Sequence, residues 1–334
     1  MRLNKTFDSK YIFKLAKNND YKEIMKFLRE NWNPKNHILS KNVNFFHYEF
    51  SNINNLNFLL AIDRENFKIS ALQGFIPYSK NIYKSHICAS ITCVNLKSTT
   101  PFLGIETMIR MLHLLKPKTY CGIGTNPITM LPLVKRYLNR YTGKLTHYYL
   151  FNKNKKNFEI ANFPKINFIY ENYKNINSKH IFHREITSFI FLEKNFEFKK
   201  CENLPFKSKE YIYKRYFKHP VYNYRFFYIK NKRTNLRSLF IIRKLKFKNS
   251  AIIRFVDFIG DINDFFLVRN IANNLFKKEK IEYIDFYAAR LPNIIKKKIK
   301  FRIITSNDKN IIPDYFEPFE KKNVKIFYET SNNK

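Results

Sequence analysis

The sequence predicts an α/β (α+β) protein built as two domains of one type, and three observations carry that reading. Each half runs strand, helix, strand, with the apolar period changing from about two to about 3.6 residues along the way. A polar, Asn- and Lys-rich stretch over 153–180 stands between the halves as a linker. At 334 residues the chain can bury two cores of ordinary size. The predicted domains are 1–152 and 181–334, related as distant repeats rather than as a solenoid.

The elements follow in order. DYKEIMKFLREN (20–31) spaces Ile24, Phe27 and Leu28 on one helical face, with Asp20 as the N-cap. NFLLAID (57–63) and KISALQGFIPYS (68–79) read as two buried strands joined by the polar turn RENF. SHICASITCVNLK (85–97) is a longer strand, rich in β-branched and small residues. A helix runs from Gly104 to about Leu115, and KTYCGIGT (118–125) is a short strand ending on glycines. Residues 128–140 are helical with Pro132 in their first turns, and KLTHYYLFN (144–152) closes the first domain as a strand. In the second half EYIYKRYFKHPVYNYRFFYIK (210–230) enters a sheet, followed by strands SLFIIRKLKF and SAIIRFVDFIG. DINDFFLVRNIANNLFKKE (261–279) is an amphipathic helix and KIEYIDFYA (280–288) another strand.

Composition narrows the partners. The net charge is +36, but lysine greatly outnumbers arginine, and Asn, Ile, Phe and Tyr are abundant, as AT-rich codons supply them. The lysines are spread along the whole chain, so the charge implies a general pull toward anions and no specific nucleic acid. No stretch is apolar enough to span a membrane, and MRLNKTFDSKYIFKLAKNND lacks the apolar core of a signal peptide. Cys88, Cys93, Cys121 and Cys201 show no CxxC spacing and read as reduced thiols in a cytoplasmic protein without a metal site.

The first half resembles the acyl-CoA N-acyltransferases of the GNAT superfamily in its order of N-terminal helix, antiparallel meander, strand–turn–helix, short strand, helix and strand. More narrowly, ENWNPKNHILSKNVNFFHYEF, LNFLLAIDRENFKISALQGFIPYS and CGIGTNPITMLPLVKRYLNRYTGKLTHYYLFN resemble the two-domain GNAT-like proteins of bacterial surface-polysaccharide loci. PFKSKEYIYKRYFKHPVYNY, IIRFVDFIGD, EYIDFY and NIIPDYFEPF extend that likeness through the second half. The resemblance implies two tandem GNAT-like domains, each a mixed, mostly antiparallel sheet flanked by helices. It also implies acetyl-CoA or another acyl-CoA as cosubstrate, a nucleotide-linked amino sugar as acceptor, and leaves open a homodimer.

The same resemblance assigns roles. The pyrophosphate would sit on the turn STTPFLGIE, with Thr99, Thr100, Gly104 and Ile105 beside it and Asn126 nearby. Of the superfamily's Arg/Gln-x-x-Gly-x-Gly/Ala pattern only Gly104 matches, because Pro101 and Glu106 stand at the other two positions. Glu106 suits a helix start but would repel a phosphate beside it. Backbone amides near Thr92, Cys93 and Val94 would polarise the thioester carbonyl. The tyrosine many GNAT enzymes use on the leaving thiolate is missing, since Val134 and Lys135 stand where it is expected.

Acceptor and proton-transfer candidates come from the histidines and carboxylates. His37 is either a base or a ring packed on Trp32, and His47, Tyr48 and Glu49 form a polar–aromatic cluster before a strand that can receive a sugar. In the second half Arg215, Tyr216, His219 and Tyr222 gather within eight residues, with Arg254, Asp257 and Asp261 following. Asp285 and Tyr287 alternate onto one face of their strand. Two readings stand for this group: a buried Arg254–carboxylate bridge, or an acceptor cleft with Asp257 or Asp285, aided by Tyr287, as catalytic residues. Two other functions remain open: a Fem-type transferase using aminoacyl-tRNA, and a GNAT-derived binding protein without activity.

Overall fold

The computed structural model describes residues 3–32, 37–98, 100–163, 180–198, 205–305 and 308–331. In chain order the elements begin with α1 (Thr6–Lys10), β1 (Tyr11–Lys17), α2 (Tyr21–Asn31), α3 (Ile38–Lys41) and α4 (Val43–Phe50). Then come β2 (Asn55–Asp63), β3 (Ile69–Pro77), β4 (His86–Val94), α5 (Leu103–Leu115), β5 (Thr119–Ile123), α6 (Met130–Leu138) and β6 (Tyr141–Lys144). The chain continues through β7 (Thr146–Phe151), β8 (Ile181–Ile186), α7 (Phe189–Asn195), α8 (Lys209–Ile212), β9 (Tyr224–Asn231), β10 (Arg237–Phe247) and β11 (Ser250–Ile259). It ends with α9 (Val268–Lys278), β12 (Tyr283–Ala288), α10 (Asn293–Ile299), β13 (Arg302–Ile303) and β14 (Phe327–Thr330).

These elements form two compact units, one of residues 1–143, 205–211 and 327–334, the other of 144–204 and 212–326. Each holds a seven-stranded, mostly antiparallel sheet, ordered β1-β2-β3-β4-β5-β14-β6 and β13-β7-β12-β11-β10-β9-β8. The first sheet carries α2 and α4 on one face, where Ile24, Leu28, Phe46 and Phe50 meet Phe58 and Leu60. Helices α5 and α6 cover its other face, where Met108, Met111, Leu112 and Leu115 pack on Phe75, Ile87 and Tyr120. In the second unit α9 and α10 cover one face, with Ile271, Leu275 and Ile295 on Ile253, Ile284 and Phe286.

The expected strands and helices of the first half are present within two or three residues of their predicted ends, save the last. Asp20 does not cap α2: its carboxylate turns back to the Lys17 amide at 2.8 Å. His47, Tyr48 and Glu49 lie on α4, because the Asn42 side chain caps a helix there by accepting from the Phe45 amide. The strand predicted to close the first domain does not do so. β7 pairs antiparallel with β12 of the second sheet, from Thr146↔Ala288 to Phe151↔Tyr283. Its counterpart in the first sheet is β14, which pairs with β5 at Tyr328↔Ile123, Glu329↔Gly122 and Thr330↔Cys121.

The predicted linker is also part core. Residues 164–179 lie outside the described residues, but Ile160 and Ala161 are buried. Their amides and that of Glu159 donate to the fully buried Glu282 carboxylate at 2.6–3.1 Å. Three backbone donors on one carboxylate offset the cost of taking that charge out of water.

Candidate active site

In the first unit β4 and β5 run parallel and pair over four positions, His86↔Thr119 to Ala89↔Gly122. Beyond that point β5 ends at Ile123, while β4 continues to Val94 on its β3 side. Between Gln73↔Thr92 and Phe75↔Ala89 the β4 strand carries one residue more than β3, a bulge that bends it away from its parallel neighbour. The two strands therefore open as a fork, and Ser90 is exposed although it lies mid-strand. The Asn95 amide donates to Ser70 O at 2.8 Å, so alternation turns the Cys93 amide toward β3. The Thr92 and Val94 amides then face the vacated side. Two of the three predicted donors are thus aimed into the fork and Cys93 is not.

Helix α5 starts over the same end of β4. Phe102, in the left-handed region at φ 62°, turns the chain into it. Its first internal bond is Glu106 N–H to Phe102 O, leaving the Leu103, Gly104 and Ile105 amides at the free end. Gly104 is a packing glycine: a Cβ there would stand 2.9 Å from Val94 Cγ2. Thr100 is held by the Tyr11 hydroxyl at 2.7 Å and by Lys10 Nζ at 3.2 Å, which brings a cation to the helix start. Thr99 lies outside the described residues, as does Cys201.

The sequence objection to Glu106 has a structural answer. Its buried carboxylate accepts from Arg110 Nε at 2.8 Å and from the Asn4 amide at 3.3 Å. Arg110 in turn binds Asp8 at 2.6 Å and stacks on Phe13, so the negative charge is neutralised within α5 and the N-terminal segment. Pro101 is exposed and interferes with neither. Asn126 belongs to the turn into α6, accepting from the Ile128 and Thr129 amides. On α6 itself Val134 is buried and Lys135 exposed, and Tyr137 meets the Phe102 ring at 5.5 Å.

One group beside the fork escaped the sequence reading. Glu329 on β14 is 2% exposed and stands opposite Gly122, the last β5 residue paired with β4. A Cβ at Gly122 would lie 2.9 Å from Glu329 Oε1 and 3.2 Å from Thr125 Oγ1, so the missing side chain makes the room. Burial, and secondarily Cys121, pushes the Glu329 carboxyl up to about 7 against the opposing pull of Arg140. A charge alternating inside an apolar strand was the available signal. The Cys121 thiol, bonded by Cys88, falls to about 7, whereas burial pushes Cys93 up to about 12.

The second unit repeats the parallel pair, with β11 and β12 matched at Ile253↔Ile284 and Arg254↔Asp285. An extra residue, Val256, again bulges the longer strand. Here an aromatic ring covers one face of the opening. The Phe265 ring lies 5.1 Å from Phe258 of β11 and 5.3 Å from Phe286 of β12. Carboxylates guard the approach to α9: Asp261 accepts from the Asn263 amide, and buried Asp264 accepts from Ser238 Oγ. That environment suits no phosphate.

The other predicted residues of this unit form internal bridges. Asp285 is fully buried and accepts from Arg254 Nε at 3.0 Å, Arg254 Nη2 at 2.6 Å and His147 Nε2 at 2.9 Å. Arg254 also binds Asp314 at 2.7 Å and holds the Asp285 carboxylate below its ordinary range despite burial. Tyr287 stacks on His147 at 4.1 Å, and burial raises its phenol. The bridge reading therefore holds, and Asp285 has no oxygen free to act as a base. Asp257 accepts from the Tyr216 hydroxyl at 2.7 Å and the Phe258 amide at 2.9 Å. His219 Nδ1 accepts from the Val221 and Tyr222 amides, and burial beside Arg215 and Arg243 lowers its pKa to about 4. Arg243 lies over the Tyr222 ring at 3.3 Å.

Two histidines in the first unit are likewise engaged. His37 caps α3 by accepting from the Leu39 amide and packs on Trp32 at 4.8 Å, the second of its two readings. His47 bonds Ser51 Oγ at 2.9 Å and meets the Tyr21 ring at 4.8 Å.

The chain matches no family model and no curated protein. Solved structures do match. A GCN5-related N-acetyltransferase from Anabaena variabilis aligns with a TM-score of 0.56 at 7% identity, over 96% of this chain and 72% of that one. A GCN5-related N-acetyltransferase from Kribbella flavida aligns at 0.53 and 8% identity, over 97% and 71%. The fold is that of the GCN5-related N-acetyltransferases. The two sheets with their opened parallel pairs are this GNAT fold in tandem, as the sequence resemblance implied. Among the described residues no helix is long and apolar enough to cross a membrane, and no group of three ligating side chains could hold a metal.

Proposed function

We propose that the chain is an N-acyltransferase whose first unit takes acetyl-CoA or a longer acyl-CoA and acylates the amine of a nucleotide-linked amino sugar. The supporting observation is the contrast between the units: β4 and β5 part beneath a free helix start, while the Phe265 ring packs across β10, β11 and β12 where the second pair parts. The Leu103, Gly104 and Ile105 amides, with Lys10 and Thr100, would receive the pyrophosphate. The Thr92 and Val94 amides would hold the thioester oxygen as it gains charge. Acyl-CoA supplies an activated acyl group, so attack by the amine forms the amide bond as the carbon–sulfur bond breaks. A role in bacterial surface-glycan synthesis, in the cytoplasm, completes this reading and rests on the sequence resemblance.

Calorimetric titration with acetyl-CoA and longer acyl-CoAs tests the coenzyme, and thiol release with a panel of amino sugars tests the acceptor. Micromolar binding that weakens on Lys10→Ala is expected. Folded protein that binds no acyl-CoA refutes the reading and leaves a binding role. Salt-sensitive binding of charged tRNA in its place supports the aminoacyl-tRNA alternative.

A further inference from the structure

We propose that Glu329, carried in on the last strand, is the acid that protonates the departing thiolate; the assignment rests on the function proposed above. Position is the first argument. Glu329 stands opposite Gly122, where β4 and β5 part, so its carboxylate lies at the crotch of the fork that would hold the thioester. Gly122 has no side chain in the way, and a Cβ there would collide with Glu329 Oε1.

The second argument is that one oxygen of this carboxyl is buried without a partner. Glu329 is 2% exposed, and its Oε2 has no hydrogen-bond partner among the described residues. The ionisable groups around it are Tyr120 and Cys121 of β5 and Arg140 just beyond α6. Arg140 lies over the Tyr120 ring at 4.9 Å, and its own Nε is buried without a partner. A structural ion pair would have joined these two charges, and none does among the described residues. By contrast Glu282 and Asp285 have both oxygens taken up, and Glu106 is paired with Arg110. Burial brings the Glu329 carboxyl to about 7, close to neutral pH, where an acid both holds a proton and gives it up.

The step balances. The amine nitrogen bonds to the acyl carbon, the carbon–sulfur bond breaks, and its electron pair goes to sulfur. Glu329 gives its proton to that sulfur, producing the free thiol. The proton lost by the amine on forming the amide passes to solvent, and solvent reprotonates Glu329.

The test follows free-thiol release from acetyl-CoA, with and without UDP-glucosamine as acceptor, between about pH 5.5 and 8.5. Wild type, Glu329→Gln and Glu329→Asp are compared, with acetyl-CoA binding to each measured by calorimetry. The assignment expects Glu329→Gln to bind within about threefold of wild type and to lose about 100-fold or more in rate. The wild-type rate should fall as pH rises through about 7, a limb that Glu329→Asp keeps and Glu329→Gln lacks. Wild type without acetyl-CoA binding overturns the proposed function and this assignment together. Wild type that binds and releases thiol, with Glu329→Gln matching its rate, overturns the assignment alone. A wild-type rate flat through that range overturns it even where the glutamine variant does not fold.

Discussion

Glutamine at position 329 keeps the volume of the side chain and removes its proton exchange, so it isolates what holding this carboxyl inside the first unit does to stability. Burial raises the group from an ordinary 4.5 to about 7. A carboxyl raised on folding favours the protonated native state. Its contribution is complete below the unfolded value and is lost as pH climbs through the folded one. The window is therefore 4.5 to about 7. At about 1.4 kcal/mol per pH unit, the loss is roughly 3 kcal/mol, a sizeable share of the 5–15 kcal/mol that holds an ordinary domain. Over that window Glu329→Gln should gain roughly 3 kcal/mol on the wild type. Urea unfolding at a series of pH values measures it, with fluorescence of Trp32, the single tryptophan, reporting on the first unit. A difference between the two proteins that stays constant within about 0.5 kcal/mol across the window refutes the reasoning.

Other outcomes follow from the same geometry. Asp285→Asn leaves Arg254 buried with half its partners and should cost about 3–5 kcal/mol in urea unfolding. A loss under about 1 kcal/mol would free Asp285 for another role. Gly104→Ala drives a methyl to 2.9 Å from Val94 Cγ2, so it should cost about 1–3 kcal/mol and weaken acetyl-CoA binding in calorimetry. Iodoacetamide near neutral pH should label Cys121, at about 7, before Cys93, at about 12, as read by peptide mass spectrometry.

Much of the fold was legible because it is written in local period. The apolar alternation of KISALQGFIPYS and the helical face of α2 need only near neighbours. Which sheet a strand joins is another matter. THYYLF reads as a buried strand in either unit, and only its long-range pairing with β12 decides the question. The polar look of 153–163 misled for a related reason, since its amides are satisfied by Glu282 more than a hundred residues away. At the site, the turn into α5 was found from its place between strand and helix. Glu106 read as an obstacle because its partners, Arg110 and Asn4, lie on another turn and another segment. Glu329 was overlooked because its one signal, a single charge in the short run IFYET, looks solvated until β14 is known to be internal.

The exchange of β7 and β14 sets an order of assembly. On the ribosome, residues 1–144 emerge first, but the first sheet lacks the strand between β5 and β6 until 327–330 are made. At about 5–20 residues per second that wait is on the order of 10–40 s. Meanwhile one edge of β5 shows unpaired amides and carbonyls, the kind of surface that recruits foreign strands. Synthesis of β14 is then the event that completes both the sheet and the residues at its fork.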